Sequence, residues 1–335
     1  ARCAQFCRGK IRFQQLKAGQ LLHPAVNSLP HDRSRLLGEA EPTGLFLDSM
    51  DRWIDAMVAD EYGGGESSEL PIVGKIRAKA SGIIAGTWVV DRLVVRHFPD
   101  CSVSWALAEA ESVDAGDEVL DISGPAVQVL RCERIMLNLL GRMSGIATNT
   151  ASWVSKAGTM RVACTRKTDW GLLDKWAVHV GGGLTHRLSR ADALMIKEND
   201  LVALAPEVAD EVDAVATVVS AIDMESDAEF TVIEVRDARQ AVAAARTWDK
   251  LQVERGGCEK IVLLLDNMRP DGCAKAHASL IQEDLRAWCI LEGSGGVARV
   301  DLEQWVESGV DLVSTSALNR GVPPLDLSMK AAGGD

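Results

Sequence analysis

Apolar positions recur with helical spacing over residues 45–59, where Leu45, Leu47, Trp53, Ile54, Met57 and Val58 predict an amphipathic helix. Over residues 71–80 the pattern changes to strand-like alternation through Ile72, Lys75, Ile76 and Arg77. Ser81-Gly82 turns the chain, and Ile83-Ile84-Ala85-Gly86 leads into a helix that runs through Val95. Residues 102–107 and 118–122 predict strands joined by the turn Asp114-Ala115-Gly116-Asp117. Such a turn resembles the hairpin of biotin and lipoyl carriers, but no lysine stands at its tip, so it reads as architecture. A long helix is predicted over residues 128–150, with Arg134, Asn138 and Arg142 in one polar stripe beside Ile135, Leu139, Leu140 and Met143. Gly141 and Gly145 allow another backbone to approach it closely, and the two arginines by themselves read as a solvated face.

From residue 160 the rhythm becomes a repeat: a short apolar segment, then polar or glycine-rich residues, then a helical stretch. The segments are Val162-Ala163-Cys164-Thr165, Ala193-Leu194-Met195-Ile196, Thr231-Val232-Ile233, residues 261–265, residues 288–291 and Asp311-Leu312-Val313. After them come Arg166-Lys167, Lys197, Glu234, Asp266-Asn267, residues 292–296 and Ser314-Thr315-Ser316. Repeated βα units imply a parallel sheet with helices outside, and a closed or open barrel accounts for the repeat best. In such folds the functional groups sit at the C-terminal ends of the strands.

Length and composition narrow the class. The chain has 335 residues, 47% of them apolar and 25% charged, as in an ordinary globular protein of about two domains. Its net charge of −12 argues against nonspecific nucleic-acid binding, and no apolar run approaches the length of a membrane span. The eight cysteines contain no C-x-x-C and read as reduced thiols in a cytoplasmic setting, with organellar import left open. Residues 1–20 carry Arg2, Arg8, Lys10, Arg12 and Lys17 without an acid or an apolar core, so they do not read as a secretory signal. Two readings remain for them, the remnant of a transit peptide and a frayed segment, and the second is preferred.

The strand ends carry a consistent chemistry. Arg166, Lys167, Arg187 and Lys197, with His186, form a cationic set inside an acidic protein. Glu234 and Asp266 add carboxylates, and Gly293-Ser294-Gly295-Gly296 offers backbone N–H groups ahead of a helix. Converging on one barrel mouth, these groups suit an anionic, phosphorylated substrate with a divalent metal. Each alone has a plainer reading, as an ion pair or a turn; the signal is that six strand ends agree. Gly181-Gly182-Gly183 could hold an anion or simply turn, and the following His186-Arg187 favours the anion. Cys164 has no neighbouring base in sequence and reads as a barrel-packing residue.

Taken in order, these residues resemble the quinolinate phosphoribosyltransferase family over about residues 70–330. The likeness is carried by Glu133-Arg134, by Arg142-Met143-Ser144-Gly145, by Thr165-Arg166-Lys167-Thr168 and by Lys175-Trp176-Ala177-Val178. It continues through His186-Arg187, Ile196-Lys197-Glu198-Asn199, Ile233-Glu234-Val235, Leu265-Asp266-Asn267-Met268 and Glu292 with Ser294-Gly295-Gly296. The resemblance implies an α/β protein in which an N-terminal α/β sandwich domain stands beside an open, incomplete TIM-like α/β barrel. On that basis the chain divides into a poorly defined segment (1–43), the sandwich with an interface helix (44–150), the barrel (151–320) and a tail returning to the N-terminal domain (321–335). It further implies transfer of phosphoribosyl from PRPP to quinolinate with decarboxylation, in a homodimer or higher homo-oligomer with shared sites.

The implied roles follow by motif. Arg134 is given to the neighbouring subunit's site; Arg166, His186, Arg187 and Lys197 form the quinolinate pocket; Lys167 contacts PRPP. Glu234 and Asp266 serve the ribose hydroxyls and Mg2+, while Ser294, Gly295, Gly296, Ser314, Thr315 and Ser316 cradle the 5′-phosphate. Three departures stand out: Asp169-Trp170-Gly171-Leu172 replaces the family's usual Thr-Thr-Pro-Gly-Leu-Arg, Val232 stands at the first acid of the usual Glu-Val-Glu, and Ser316 replaces a glycine. Two other readings compete, a phosphoribosyltransferase acting on nicotinate without decarboxylation and a catalytically silent barrel. The number of cations speaks against the first, and the retained Lys167, Glu234 and Asp266 against the second.

Overall fold

Residues 29–61, 68–222 and 229–333 are described by the computed structural model, so the reading made on residues 1–20 lies outside it. Helix α1 (Gly44–Asp60) starts where the Thr43 hydroxyl accepts the Phe46 N–H at 3.3 Å and donates to the Leu36 carbonyl at 2.7 Å. It packs beside α2 (Thr87–His97) over an antiparallel sheet made of β1 (Pro71–Ala78), β3 (Ser102–Trp105) and β5 (Glu118–Pro125). A small ribbon of β2 (Gly82–Ile83) and β4 (Ser112–Val113) lies beside it. The sheet's remaining strand is β12 (Leu327–Gly333), which leaves the barrel and pairs antiparallel with β1, giving the order β12-β1-β5-β3.

Helix α3 (Ala126–Ala157) runs 32 residues without a proline. The predicted helix is therefore short at both ends, and the expected division between residues 150 and 151 falls inside an unbroken helix. Its first half packs on the N-terminal sheet and its second half on the barrel. The two glycines admit the chain at 323–325: a Cβ on Gly145 would stand 2.3 Å from the Pro323 carbonyl, and the Leu325 N–H donates to the Gly141 carbonyl at 2.8 Å.

The barrel strands are β6 (Arg161–Cys164), β7 (Leu194–Ile196), β8 (Thr231–Val235), β9 (Ile261–Asp266), β10 (Cys289–Ser294) and β11 (Leu312–Thr315). They form one parallel sheet in the order β6-β11-β10-β9-β8-β7. The helices that cover it are α4 (Leu172–Val180), α5 (Glu198–Leu204), α6 (Glu211–Ser220), α7 (Ala238–Arg255), α8 (Arg269–Gln282) and α9 (Leu302–Glu307). Both faces of the strands are buried, which is why they read as continuous apolar runs rather than as alternation. Val162, Ile233, Leu263, Leu265, Leu291 and Val313 belong to the large outer core, while Ala163, Val232, Val262, Leu264, Ile290 and Leu312 fill the interior. Burying each Val, Leu or Ile among them contributes roughly 1.5–3 kcal/mol. Val232, one of the three departures, sits fully buried in this apolar interior layer.

The barrel is open between β6 and β7. Leu184 extends the β6 edge through bonds to Val162 and Cys164 (2.8 and 3.0 Å), and residues 29–36 fill the remaining seam. There the Arg33 N–H donates to the Thr185 hydroxyl at 2.8 Å, its guanidinium pairs with Asp192 at 2.9 Å and Glu229 at 3.3 Å, and Leu29 packs on the interior cluster. Two expectations are corrected. Glu234, Asp266, Glu292, Ser294 and Ser314 lie within strands rather than after them, because the ladders run on to the mouth. The Gly181-Gly182-Gly183 stretch is a turn, its N–H groups spent on the carbonyls of Ala177, His179 and Val178 at the end of α4, so none is left for an anion. None of the described helices is long and apolar enough to cross a membrane.

Candidate active site

Strand register builds the mouth. Glu234 pairs in register with Leu264, and Asp266, two residues further along β9, faces Ser294 on β10, which in turn faces Ser314 on β11. Alternation puts all four side chains on the inner face at the C-terminal end of the sheet. Glu234 is almost fully buried, and its carboxylate accepts from Lys197 Nζ at 2.7 Å. Lys197 begins α5, where its N–H donates to Asp200 at 2.8 Å, and its side chain remains half exposed. Asp266 accepts from the Asn267 amide at 2.8 Å. Two carboxylates on adjacent strand ends are hard oxygen donors of the kind Mg2+ takes together with substrate phosphates. Glu234 is already engaged by Lys197, so Asp266 is the freer of the two.

Opposite them stand the cations. Arg166 and Lys167 follow β6 on an exposed loop tied by the Lys167 N–H to the Thr165 hydroxyl (3.1 Å) and by the Asn319 amide to the Lys167 carbonyl (3.0 Å). Burial first, then the charges of Arg166 and Arg190, hold the Arg187 guanidinium below its ordinary value. Like charges are thus gathered without enough acid to balance them, an arrangement that a bound dianion would relieve. Lys175, 2% exposed, joins the two cationic loops from behind: Nζ donates to the Thr185 carbonyl at 2.5 Å and the Thr165 carbonyl at 3.3 Å, and touches Cys164 Sγ at 3.5 Å. Burial pushes the Cys164 thiol up, and it sits in the outer core.

His186 lies deeper than a surface cation. Its Nε2 contacts Glu292 at 3.2 Å, and its Nδ1 accepts the Arg187 N–H at 2.7 Å. The second oxygen of Glu292 contacts His31 Nε2 at 3.0 Å. His31, within the segment 1–43, and Glu292 are two residues of the mouth that sequence reasoning left without a role. His31 sends no local signal, since its partner lies 261 residues away. Burial pushes Glu292 up, but the two imidazoles outweigh it and the carboxyl is held well below the usual range. Burial in turn holds His186 below its ordinary value.

The glycine loop after β10 lies against the end of β11. Gly295 and Gly296 have φ of +90° and +61°, and the Thr315 hydroxyl reaches the Val297 carbonyl at 3.4 Å, joining the two loops. Thr315 is buried and spent on that contact and on the Ala317 N–H, while Ser294 and Ser316 stay partly open. The helix that follows starts only at Leu302, after a 3-10 turn at Arg299–Asp301, so the N–H groups offered after β10 belong to a loop and not to a helix start.

The polar stripe on α3 divides. Arg142 turns inward, bidentate to the buried Asp174 (2.9 Å to each oxygen), 3.2 Å from Asp169 and over the Trp170 ring at 4.8 Å. Asp174 also accepts the N–H groups of Asp169 and Trp170, so the departing loop is pinned without its usual proline. Arg134 and Asn138 stay exposed, on the face that also carries Leu130 (53% exposed).

Known proteins resemble both halves of the chain. Residues 64–144 match the N-terminal domain, and residues 146–330 the C-terminal domain, of quinolinate phosphoribosyl transferase. A probable nicotinate-nucleotide pyrophosphorylase (carboxylating) of Methanothermobacter thermautotrophicus is 33% identical over 268 residues, 78% of this chain and 89% of the relative. The chloroplastic nicotinate-nucleotide pyrophosphorylase (carboxylating) of Arabidopsis thaliana is 32% identical over 259 residues, 76% of this chain and 72% of the relative. The solved structure of NadC from Streptococcus pyogenes aligns with a TM-score of 0.73 at 25% identity, covering 89% of this chain and 100% of that one. His31 precedes both matched segments.

Proposed function

The chain belongs to the quinolinate phosphoribosyltransferase family, and we propose that it transfers the phosphoribosyl group of PRPP to quinolinate with loss of CO2, yielding nicotinate mononucleotide and pyrophosphate. The observation that carries this reading is the meeting of two under-compensated guanidinium groups, Arg166 and Arg187, with the Lys197–Glu234 ion pair, the Asp266 carboxylate and a glycine loop on one barrel mouth. Quinolinate brings two carboxylates, and guanidinium groups bind carboxylates in bidentate fashion. His186 belongs to the same pocket. The quinolinate nitrogen attacks C1 of PRPP through a transition state with oxocarbenium character as the bond to pyrophosphate breaks. Lys167 holds the departing pyrophosphate, Glu234 and Asp266 support the ribose hydroxyls, and Ser294, Gly295, Gly296, Ser314, Thr315 and Ser316 hold the 5′-phosphate. The pyridinium formed is an electron sink, so the C–CO2 bond electrons of the carboxylate next to nitrogen return to the ring and a proton replaces CO2. The other carboxylate stays paired with the cations.

Mg2+ is part of the proposal; Asp266 and, beside Lys197, Glu234 would hold it, and when bound it supplies charge neutralisation for pyrophosphate. We further propose a homodimer in which Arg134 enters the partner's site, supported by the exposed i, i+4, i+8 face of Leu130, Arg134 and Asn138 on α3. A cytoplasmic location completes the reading, although the Arabidopsis relative is chloroplastic.

Product analysis with PRPP, Mg2+ and either quinolinate or nicotinate tests the reaction. Mononucleotide with stoichiometric CO2 from quinolinate alone is expected; product from nicotinate alone would overturn the substrate assignment.

A further inference from the structure

Two members of a buried cluster, His31 and Glu292, have no part in the proposed mechanism although they contact the pocket residue His186. His31 is 0% exposed, Glu292 1% and His186 5%, and each imidazole is turned onto a different oxygen of one carboxylate. The bonding fixes the protons. The Arg187 N–H needs an acceptor, so His186 Nδ1 carries no proton and Nε2–H donates to Glu292. Glu292 has no hydrogen to give, so His31 Nε2–H donates to its other oxygen. The result is a chain that converges on Glu292: His31 donates to one oxygen, His186 donates to the other, and the Arg187 N–H donates to His186.

The backbone supports this. His186 has φ +51°, a left-handed conformation that is unfavourable for a residue with a β-carbon and persists only where the surroundings hold it. Two ring bonds, with edge-on packing against His31 at 4.8 Å between ring centroids, hold it here. The carbonyl just before His186 is clamped by Lys175. The backbone from which the next side chain, Arg187, projects is therefore held by a network whose far end is His31, in the segment that fills the barrel seam.

We propose that His31 is a positioning residue: through Glu292 and His186 it orients Arg187 toward a carboxylate of the pyridine dicarboxylate. This rests on the reaction proposed above. A bare packing role does not explain why a buried imidazole is aimed at a buried carboxylate. The same residue types could hold a metal ion, but here each Nε2 addresses its own Glu292 oxygen and the remaining His186 nitrogen is taken by Arg187, the geometry of a hydrogen-bonded chain.

The test uses the full chain and three proteins: wild type, H31Q, whose amide N–H can stand in for Nε2–H, and H31L, which keeps bulk and loses the donor. H31L is expected to raise the KM for quinolinate about tenfold, the worth of one hydrogen bond to a buried charge, with the KM for PRPP unchanged. The acid limb of kcat/KM for quinolinate should move to higher pH in H31L and return in H31Q. If H31L and H31Q lose thermal stability alike while both KM values and the pH profile stay at wild-type values, the role is structural and the proposal is overturned. Should H31L not fold, 15N spectra of the wild-type histidines decide: His186 is expected as the Nε2–H form at neutral pH, and an Nδ1–H or doubly protonated ring overturns the chain. One zinc per molecule in the purified wild type overturns it in favour of a metal site. A wild type that makes no product from quinolinate overturns the reaction rather than the hydrogen-bonded chain, which the spectra test independently.

Discussion

At Gly295 the mouth has no room for a side chain. Its φ is +90°, and a Cβ there would stand 2.2 Å from the Asn267 amide oxygen and 3.0 Å from the Asn267 Cα. Asn267 is itself left-handed, with φ +53°, and its N–H donates to the Ser294 carbonyl at 3.0 Å, so it cannot retreat without breaking the join between β9 and β10. Gly295→Ala is expected to raise the KM for PRPP at least about tenfold while the KM for quinolinate changes little, since the strain falls on the phosphate side of the mouth. Steady-state titration of each substrate checks it; equal effects on both would place the loop elsewhere in the mechanism. Identity at single positions was legible where the chemistry is local, as for Lys197 beside its helix start or the glycines after β10. It was illegible for His31, which gains meaning only from Glu292, 261 residues away.

Among the elements, α3 connects the two halves of the molecule and presents a face to solvent. Periodicity gave its existence and the identity of its buried stripe, but not its full length, because a helix end depends on tertiary packing as much as on propensity. Periodicity also grouped Arg142 with Arg134. Only the fold separates them, by placing Asp174 on α4 where it takes the Arg142 guanidinium in bidentate fashion. Four of the six strand ends, those of β8 to β11, were read one to three residues short for a related reason. Polar residues such as Glu234 and Glu292 look like loop, yet they complete ladders where the barrel interior turns polar at its mouth. If the exposed α3 face is the interface, a mixture of Arg134→Ala and Lys167→Ala chains should recover activity that neither shows alone. Random assembly gives about half heterodimers, each with one intact site, hence about a quarter of wild-type activity. No recovery after co-refolding would count against sharing between subunits.

For the molecule as a whole, Glu292 and three histidines tie stability to pH in one direction. Glu292 is held well below its ordinary range, and burial lowers His186, His179 and His277. In each case the folded chain binds fewer protons than the unfolded one, so stability is fully present above the unfolded values and is lost as pH falls. The melting temperature is expected to decline once pH drops below about 6.5, where unfolded histidines take up protons, and to fall faster below about 4.5, where the unfolded Glu292 carboxyl does. Scanning calorimetry between pH 8 and 4 checks this, and a melting temperature that rises on acidification would show that the histidines are charged in the native state.

The pairing of β12 with β1 has a consequence for how the chain is made. Residues 327–333 complete a sheet whose other strands lie between residues 71 and 125, so on the ribosome that sheet waits with an open edge while the whole barrel is synthesised. An unpaired strand edge is a template for another chain. Lys75 and Arg77 on β1, which pair in register with Lys330 and Ser328 in the finished protein, form ion pairs with Glu118 and Asp121 on β5, so the waiting edge carries charged, solvated side chains that discourage two nascent chains from joining there.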